Sequence, residues 1–380
     1  MKILAIDISG RVVEYDESLY ASIAQNLSSK DSFAFNAPTS AIAEHCKSPH
    51  LYSLIPSRYR FKSFMWKKFL KVLEGIINYI IIHHFVRKEN IDILHIQWLP
   101  FLEFCNFEYY WVKHLKRACP KVRVIVTWHN IYPHNISDKK KIAYKKRVTR
   151  IVPFIDAWIV HTKNAAERME SEYGIESSCM HVIHHGVFVP ALPIPERHRD
   201  DDKIRFLLFA SQSFYKGTDI MIEAMELLPL SIKEKIDVRI MGGTAKSLYL
   251  KYADRAAKEH IIWENRHISD MELMQAIQDS DALVFPYRTI TQSGALLTGL
   301  FFKKPMLVSN LPAFVETLGD EYPKALVFEK CNASSLANAI TQFITNPINH
   351  QTLEFVLQHL VSEYSWDNAA KKTINLYNEL

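Results

Sequence analysis

The 380-residue sequence has few cysteines and lacks a long uninterrupted apolar segment. Its five cysteines are scattered and none belongs to a C-x-x-C pair, which argues against both a disulfide framework and a zinc site. The longest apolar stretch, residues 76–86, is about half of the roughly 20 residues that a membrane-spanning helix needs, and polar side chains interrupt it. The N-terminus lacks the long apolar core of a signal peptide. These absences predict a protein of the cytoplasm.

The composition predicts an ordered chain with two domains. The chain is 48% hydrophobic and 23% charged, contains no low-complexity tract, and has about the length of two average domains. Residues 1–190 contain 26 Lys and Arg against 17 Asp and Glu, whereas the remainder contains 20 against 24. The net charge of +5 is therefore the sum of +9 in residues 1–190 and −4 in the remainder. Any basic surface that binds a partner is expected in the first half.

Strand-like and helix-like segments alternate along both halves. Short β-branched runs occur in the first half, and helical spacing follows the first of them behind Asp16, a candidate helix N-cap. The second half repeats the pattern, with Ser269 and Glu272 forming a capping box before one helix. The predicted strands cover residues 2–7, 91–96, 122–128, 157–161, 204–210, 238–242, 261–265, 282–287 and 305–309.

This alternation predicts an α/β fold with two tandem Rossmann-like, doubly wound domains facing each other across a cleft. The first domain is predicted over residues 1–190 and the second over residues 204–361. The segment from Val189 to Lys203 contains three prolines and a charge cluster, and it predicts a linker over residues 191–203. Ligands of such sheets bind beyond the carboxyl ends of the strands, so the cleft is the expected site.

Two loops between a strand and a helix carry candidate anion-binding groups. The first, residues 211–217 (SQSFYKG), includes Ser211, Lys216 and Gly217, and its ammonium and free backbone N–H groups can neutralise a diphosphate. The alternative for Lys216 is an exposed loop lysine. The second, residues 286–294 (PYRTITQSG), leads into a helix at Ser293 and Gly294, where bare N–H groups can meet an anion or sugar hydroxyls. The alternative there is ordinary helix capping by Ser293.

The order and spacing of several segments resemble a known family. The segments YKGTDIMIEAMELLP, MGG, NRHISDMELMQAIQDSDALVFPYR and QSGALLTGLFFKKPMLVSNLPAFVE resemble the C-terminal domain of retaining GT-B glycosyltransferases of the GT4-like group. The pieces IDILHIQWLP, VTWHNIYPH and VIHHGVF are similar to the N-terminal domain of that group. The segment SEYSWDNAAKKTINLYNEL is similar to its terminal helix, which implies that residues 362–380 cross back onto the first domain.

The resemblance implies roles for individual residues. It implies that Lys216 contacts the diphosphate of a nucleotide-sugar donor, that Ser293 and Gly294 bind phosphate or donor hydroxyls, and that the base lies against His267 and Ile268. His129, just past a predicted strand, matches the N-domain active-site histidine, and Asn130 shares that position. Further donor-binding candidates lie in the same loops or in the loop after the first strand: Gly10, Arg288, Gln292 and Thr298.

The sequence also departs from the family pattern. Ser213 stands where an arginine usually precedes the lysine, and the E-x7-E motif is missing, with Thr298 near the place of its second glutamate. Arg288 is the candidate for supplying the missing positive charge. The departures leave open a non-catalytic GT-B-like subunit that binds sugar nucleotide or lipid. The shared architecture leaves open a sugar-nucleotide epimerase, which would need an acid and a base carboxylate in the cleft.

The implied reaction needs a nucleotide-sugar donor, UDP- or GDP-linked, and neither a separate cofactor nor a metal site. GT-B enzymes stabilise a departing diphosphate with basic side chains and helix dipoles. The implied acceptor is a glycan or a lipid-linked molecule in the synthesis of a surface polysaccharide or glycolipid. Nucleic acid is not an expected partner, because the sequence contains no nucleic-acid module.

Two basic segments of the first half are candidate contacts with an anionic membrane surface. Residues 58–71 place aromatic side chains at helical spacing beside basic ones, from Arg58 to Lys71, and residues 139–150 contain a second cluster, from Lys139 to Arg150. Such surfaces would place the enzyme peripherally on the inner face of the plasma membrane. The alternative is a helix that packs its apolar stripe on the domain and shows its charges to water.

Overall fold

The computed structural model describes residues 1–10, 13–53, 64–133, 136–187, 193–197, 201–346 and 350–380. The chain forms two compact units, one of Met1–Gly186 with Ser365–Leu380 and one of Val187–Tyr364. The predicted linker, 191–203, lies partly outside the described residues. All five cysteines are free thiols.

The first unit contains a seven-stranded sheet in the order β3-β2-β1-β4-β5-β6-β7. Its pairings are parallel except for the hairpin of β2 and β3. The order reverses direction between β1 and β4, which makes this pair the topological switch point of the sheet. The strands are β1 Lys2–Ile6, β2 Ser32–Ala37, β3 Ser40–Glu44, β4 Ile93–Ile96, β5 Arg123–Thr127, β6 Ala157–Val160 and β7 Met180–Val182.

Helices cover both faces of this sheet, and the C-terminal helix α14 belongs to the same unit. Its helices are α1 Val13–Asn26, α2 Phe64–Glu89, α3 Phe107–Ala118, α4 Asp138–Ile151, α5 Lys163–Tyr173 and α14 Trp366–Glu379. Within α2, Phe69–Glu89 is the single stretch of the described chain that is long and apolar enough to cross a membrane by length and composition, and 33% of its tested window is buried. Tyr79, Ile82 and Val86 form its inner face, packed in the core.

The second unit contains a six-stranded, all-parallel sheet in the order β10-β9-β8-β11-β12-β13. Its switch point lies between β8 and β11. The strands are β8 Ile204–Phe209, β9 Ile236–Met241, β10 Ile262–Glu264, β11 Ala282–Phe285, β12 Met306–Ser309 and β13 Val327–Phe328. The helices are α6 Thr218–Leu227, α7 Leu230–Lys233, α8 Lys246–Lys258, α9 Asp270–Asp279, α10 Gly294–Phe301, α11 Pro312–Leu318, α12 Ala333–Thr345 and α13 His350–Glu363.

The predicted class, two parallel α/β domains of the Rossmann type, is confirmed. Central strands such as β4, β5, β6 and β11 are apolar and buried along nearly their whole length, because helices cover both faces of a parallel sheet. Every predicted strand is present, and the capping box of Ser269 and Glu272 is formed. The prediction missed the edge strands β3, β7 and β13, and also β2, a six-residue strand inside the first sheet.

The predicted N-cap at Asp16 is wrong. Helix α1 begins at Val13, so Asp16 lies in its first turn and points into the protein, fully buried. Neither of its carboxylate oxygens has a hydrogen-bond partner among the described residues. Burial, and then the nearby charge of Asp7, raise the pKa of Asp16 to about 10. The carboxyl group is therefore neutral at pH 7, because an ionised carboxylate is costly in an apolar environment.

Replacing Asp16 by asparagine should stabilise the protein near neutral pH. The unfolded chain releases the Asp16 proton near pH 4, whereas the folded protein keeps it up to about pH 10. The wild type therefore loses stability as pH rises through this window, by up to about 1.4 kcal/mol per pH unit, and Asp16→Asn should remove that slope. Urea unfolding from pH 5 to 8 measures it, with Glu17→Gln on the exposed side of α1 as control. Equal slopes for wild type and Asp16→Asn would show that Asp16 is ionised.

Candidate functional site

The candidate donor-binding residues of the second unit occur at the carboxyl end of its sheet. Lys216 and Gly217 follow β8, His267 and Ile268 follow β10, and Gly294 lies beyond β11. Because the carboxyl ends of parallel strands share one edge, the loops after these strands gather on that edge. The loops after β8 and β11 flank the switch point, where ligands of such sheets bind.

A tight contact between the loops after β8 and β11 positions Lys216. Residues Phe214–Lys216 form a single 3-10 turn, and Gly217 follows with a φ of 70°, in the left-handed region. A Cβ at Gly217 would lie 1.9 Å from the carbonyl oxygen of Pro286, so no other residue fits there without backbone movement. Gly217 therefore allows the loop after β8, which carries Lys216, to pack directly on the loop after β11.

A second glycine allows a similarly close approach beside it. Gly242 follows β9 with a φ of 132°, and a Cβ there would lie 2.2 Å from the carbonyl oxygen of Ala210. Ala210 itself has a φ of 86°, which is rare for a residue with a side chain. Ser211 donates to the carbonyl of Gly243 at 3.3 Å. The loops after β8 and β9 are thus held together by backbone geometry that only this local sequence permits.

The ammonium of Lys216 is partly buried and lacks a carboxylate partner among the described residues. Its Nζ lies 5.4 Å from the ring centroid of Tyr287 and 5.9 Å from that of Tyr215. Burial lowers the pKa of Lys216 to about 8. Aromatic faces attract a cation but do not neutralise it. The arrangement leaves a positive charge at the helix α6 start that an anionic ligand would stabilise.

Arg288 contacts the same loop, but its charge is already paired. Its Nη1 and Nη2 atoms donate to the two carboxylate oxygens of Asp219 at 2.9 and 2.8 Å. Its Nη1 also donates to the carbonyl of Phe214 at 2.7 Å, and its backbone N–H to the carbonyl of Tyr215 at 2.7 Å. The guanidinium lies 4.1 Å from the Phe214 ring centroid. In this arrangement Arg288 braces the lysine loop and does not offer a free charge to a diphosphate.

At the start of helix α10, Ser293 caps the helix, which was one of the two alternatives for this position; the other was binding of an anion or sugar hydroxyls. The Ser293 hydroxyl accepts a hydrogen bond from the backbone N–H of Leu296 at 3.2 Å and is buried. Thr298 donates to the carbonyl of Gly294 at 3.0 Å. Gly294 is exposed and Gln292 is half-buried. Ser293 therefore acts as a cap, and Gly294 and Gln292 are the members of this group that a ligand can reach.

The loop proposed to meet the base lies after β10. His267 is exposed, whereas Ile268 is half-buried and packs on the core of the second unit. Arg266 holds the loop by pairing with Glu264 at 2.6 Å and with Glu272 at 2.8 Å. The loop is therefore ordered from both sides and presents one imidazole to solvent.

In the first unit, His129 belongs to a buried hydrogen-bond network at the carboxyl edge of the sheet. Its Nε2 lies 3.0 Å from Oε1 of Gln97, and its Nδ1 lies 3.2 Å from Nε2 of His161. The Nδ1 of His161 lies 2.9 Å from the carbonyl oxygen of Ile183. Both ring nitrogens of His129 are thus occupied by neighbours. Asn130 and His129 also line a small pocket with Trp98.

Proton counting restricts the states of this network. His161 must donate from Nδ1 to the carbonyl, so its neutral ring accepts at Nε2 and His129 donates from Nδ1. A neutral His129 then accepts at Nε2, which requires the amide nitrogen of Gln97 to face it. With the Gln97 oxygen facing His129, the histidine pair must instead carry one extra proton. Burial, and then the charges of His161, His185 and His95, keep the pKa of His129 well below its usual value, which favours the neutral network.

The network includes residues that the sequence analysis did not single out. Gln97 directly follows β4, and His161 directly follows β6, while in the second unit Asp219 pairs with Arg288 and Tyr287 contacts Lys216. The sequence feature that could have identified Gln97 and His161 is a polar residue immediately after a buried parallel strand.

Gly10 lies after β1 with a φ of 57°, beside Ser9, whose backbone N–H donates to Asp7 at 2.8 Å. Among the described residues, no group of three or more His, Cys, Asp or Glu could hold a metal ion.

Two family models match consecutive parts of the chain. The model described as "Glycosyltransferase Family 4" matches residues 40–189, and the model described as "Glycosyl transferases group 1" matches residues 193–354. A glycogen synthase of Thermodesulfovibrio yellowstonii is 28% identical over 180 residues, which cover 44% of this chain and 33% of that protein. The chain thus matches about a third of the length of this curated relative.

Solved structures share the fold along the whole chain. The Anabaena protein Alr3699/HepE, solved in complex with UDP, is 12% identical with a TM-score of 0.66, and 100% of both chains is covered. The sucrose-phosphate synthase of Thermosynechococcus elongatus is 14% identical with a TM-score of 0.67, covering 100% of this chain and 98% of that one. At such identities the likeness establishes the fold, which is GT-B.

The affinity for a nucleoside diphosphate should fall as pH rises above about 8. Lys216 loses its charge near that pH in the free protein, and a bound diphosphate would favour the charged form. We expect the dissociation constant of UDP to rise roughly tenfold or more between pH 7.5 and 9.5. Titration calorimetry measures this, and Lys216→Met should bind weakly with little pH dependence. A wild type that binds UDP equally at both pH values would exclude Lys216 as the diphosphate partner.

Breaking either side of the Arg288–Asp219 pair should weaken UDP binding to a similar degree. If the pair acts by bracing Lys216, Asp219→Asn and Arg288→Gln should each cost roughly tenfold, and the double variant should be no worse than either. In a Lys216→Ala background, neither Asp219→Asn nor Arg288→Gln should weaken UDP binding further. Arg255→Gln breaks a bidentate pair with Glu226 on the surface of the same unit and serves as control. Unchanged or tighter binding by Asp219→Asn would indicate that Arg288 contacts the diphosphate itself.

Proposed function

Because the chain belongs to the GT4-like group of GT-B glycosyltransferases, we propose that it transfers a sugar from a nucleotide-sugar donor to a glycan or lipid-linked acceptor. The observation that carries the proposal is the partly buried ammonium of Lys216, at the switch point of the second sheet, which has no carboxylate partner in the part of the chain that the structure describes. A departing nucleoside diphosphate is the ligand whose charge this position would stabilise.

In the proposed reaction, Lys216 and the α6 N-terminus stabilise the negative charge that grows on the diphosphate as the glycosidic bond breaks. The brace formed by Arg288 and Asp219 keeps the lysine in place, so no rearrangement is needed as charge develops. His129, neutral and held through both ring nitrogens by Gln97 and His161, contributes on the acceptor side by contact of its ring with the acceptor. We propose retention of configuration at the anomeric carbon, in keeping with the family resemblance.

UDP is the donor nucleotide that we propose first, with GDP as the alternative. The fold relative Alr3699/HepE was solved with UDP and with UDP-glucose. The exposed His267 and the half-buried Ile268 offer a polar edge and an apolar surface against which a base could lie. No residue of this loop distinguishes the bases by itself, so the donor must be identified by binding.

We propose that the first unit contacts an anionic membrane surface from the cytoplasmic side. On helix α2, Trp66 is 63% exposed and Phe69 is 58% exposed, so these aromatic side chains are not packed on the domain. On α4, the inner face is buried, whereas basic side chains are exposed at Lys139, Lys140, Lys145, Lys146 and Arg150. Each such residue contributes roughly 1 kcal/mol near anionic headgroups. Residues 58–63 of the first basic segment lie outside the described residues.

Thermal unfolding in the presence of UDP, GDP, ADP, TDP and their sugar conjugates tests the donor site. A ligand at 100 times its dissociation constant adds about 2.7 kcal/mol of stability, so the correct nucleotide should raise the melting temperature clearly. Lys216→Ala should weaken that binding by about 2 kcal/mol or more while leaving the fold intact. Transfer from the stabilising sugar nucleotide to glycan or lipid acceptors is then measured.

The outcomes separate the proposed enzyme from a binding subunit. A specific shift followed by sugar transfer supports the glycosyltransferase. A specific shift without transfer to any acceptor, with or without membranes, would favour a non-catalytic subunit that binds sugar nucleotide. The absence of a shift with every nucleotide would overturn the donor site.

A further inference from the structure

The first unit contains an apolar pocket at the switch point of its sheet. The pocket has a volume of about 490 Å³, within the range of small-molecule binding sites. It lies beyond the carboxyl ends of β1 and β4, against helix α2. Ligands of doubly wound sheets bind at this position. Most of its lining is apolar, from Ile8, Val72, Gly75, Pro100, Phe101 and Phe104.

The charged members of the pocket neutralise each other. Glu74 is only 2% exposed, and its carboxylate accepts from the ammonium of Lys71 at 2.7 Å. Lys71 is 45% exposed and reaches solvent from this pair. An apolar ligand in the pocket would therefore meet a paired carboxylate. For a free sugar, which needs several hydrogen-bond partners, the described lining offers only Ser9 and the Lys71–Glu74 pair.

The pocket adjoins the candidate catalytic residues through one segment of chain. Trp98, Leu99 and Glu103 line the small pocket that contains His129, whereas Pro100, Phe101 and Phe104, from the same segment, line the apolar pocket. The polar end of a ligand could thus lie at His129 while its apolar part occupies the larger pocket.

The pocket is also continuous with the exposed apolar face of α2. Val72 lines the pocket and is 40% exposed, and Leu73 beside it is 40% exposed. Trp66 and Phe69 extend this face along the helix at a spacing of three and four residues. A hydrocarbon chain could therefore follow Trp66, Phe69 and Val72 from a membrane surface into the pocket.

We propose that this pocket binds the hydrocarbon chain of an amphipathic acceptor, so that the acceptor is a lipid-linked sugar and not a free glycan. The inference rests on the proposed glycosyltransferase function and specifies its acceptor class. Apolar lining, neutralised charge, proximity to the His129 pocket and continuity with the α2 face all favour a single apolar chain with a polar head.

A series of alkyl glucosides tests the proposal. The full-length protein is titrated with methyl, hexyl, octyl and decyl glucoside below their micelle concentrations, without nucleotide. Each methylene that enters the pocket should tighten binding by up to about fourfold, until the pocket is full. Methyl glucoside should bind too weakly to saturate. Binding that does not depend on chain length would overturn the inference.

Three variants with matched exposure locate the chain. Phe104 in the pocket, Phe69 on α2 and Tyr110 on α3 are 59%, 58% and 63% exposed, so replacing each by aspartate should be tolerated similarly by the fold. In Phe104→Asp, the affinity should no longer depend on the length of the alkyl chain. In Phe69→Asp and Tyr110→Asp, each measured as a soluble monomer, that dependence should remain. Loss of the dependence in Phe69→Asp but not in Phe104→Asp would place the chain on the helix surface and overturn the pocket assignment.

The experiment also separates this inference from the proposed function. Nucleotide binding is measured on the same variants, and Phe104→Asp should bind UDP as the wild type does. Wild-type UDP binding without chain-length dependence would contradict the lipid acceptor alone. Chain-length dependence without binding of any nucleoside diphosphate would contradict the transferase and leave a lipid-binding pocket.

Discussion

The close packing of Gly217 against the carbonyl of Pro286 is the constraint on which the candidate donor site depends. Because no Cβ fits between them, the loops after β8 and β11 meet at the switch point of the second sheet. That contact places Lys216 over Tyr287 and brings Arg288 onto Asp219. The result is one cation paired with a carboxylate, Arg288 in the loop after β11, and one without a carboxylate partner among the described residues, Lys216 in the loop after β8.

The corresponding edge of the first unit is built from uncharged hydrogen bonds. His129, His161 and Gln97 follow three neighbouring strands, and burial keeps the pKa of both histidines low. Asp16, nearby in α1, is neutral for the same reason. Helix α4 carries exposed positive charge on the outer surface of the unit, whereas these histidines and Asp16 are uncharged at its ligand edge. This division suits an acceptor whose buried part is apolar or hydroxylated.

Both sheets place their distinctive chemistry at the point where the strand order reverses. In the second unit this point carries a cation and two glycines, as expected for an anionic ligand. In the first unit it carries the apolar pocket between β1, β4 and α2. The two edges are formed by the same type of sheet, so their difference arises from the side chains that follow each strand.

The sequence by itself determined the fold class, the strands at the centre of each sheet and the loops that carry the candidate ligand-binding residues. Buried parallel strands are continuous apolar runs, so β1, β4, β5 and β8 were visible without a structure. Lys216 and His129 each follow such a strand, and the resemblance to the GT4-like group singled them out as candidate site residues. Edge strands such as β3 and β7 were missed, because short and half-exposed segments carry little periodicity.

Only the tertiary structure decided which groups are partners. The sequence suggested Arg288 as a free charge and Asp16 as a helix cap, whereas folding pairs Arg288 with a residue 69 positions away and buries Asp16 in α1. The hydrogen bonds of His129 with Gln97 and His161 each join residues 32 positions apart. Pairing energies and desolvation depend on distances across the fold, which local sequence patterns do not contain.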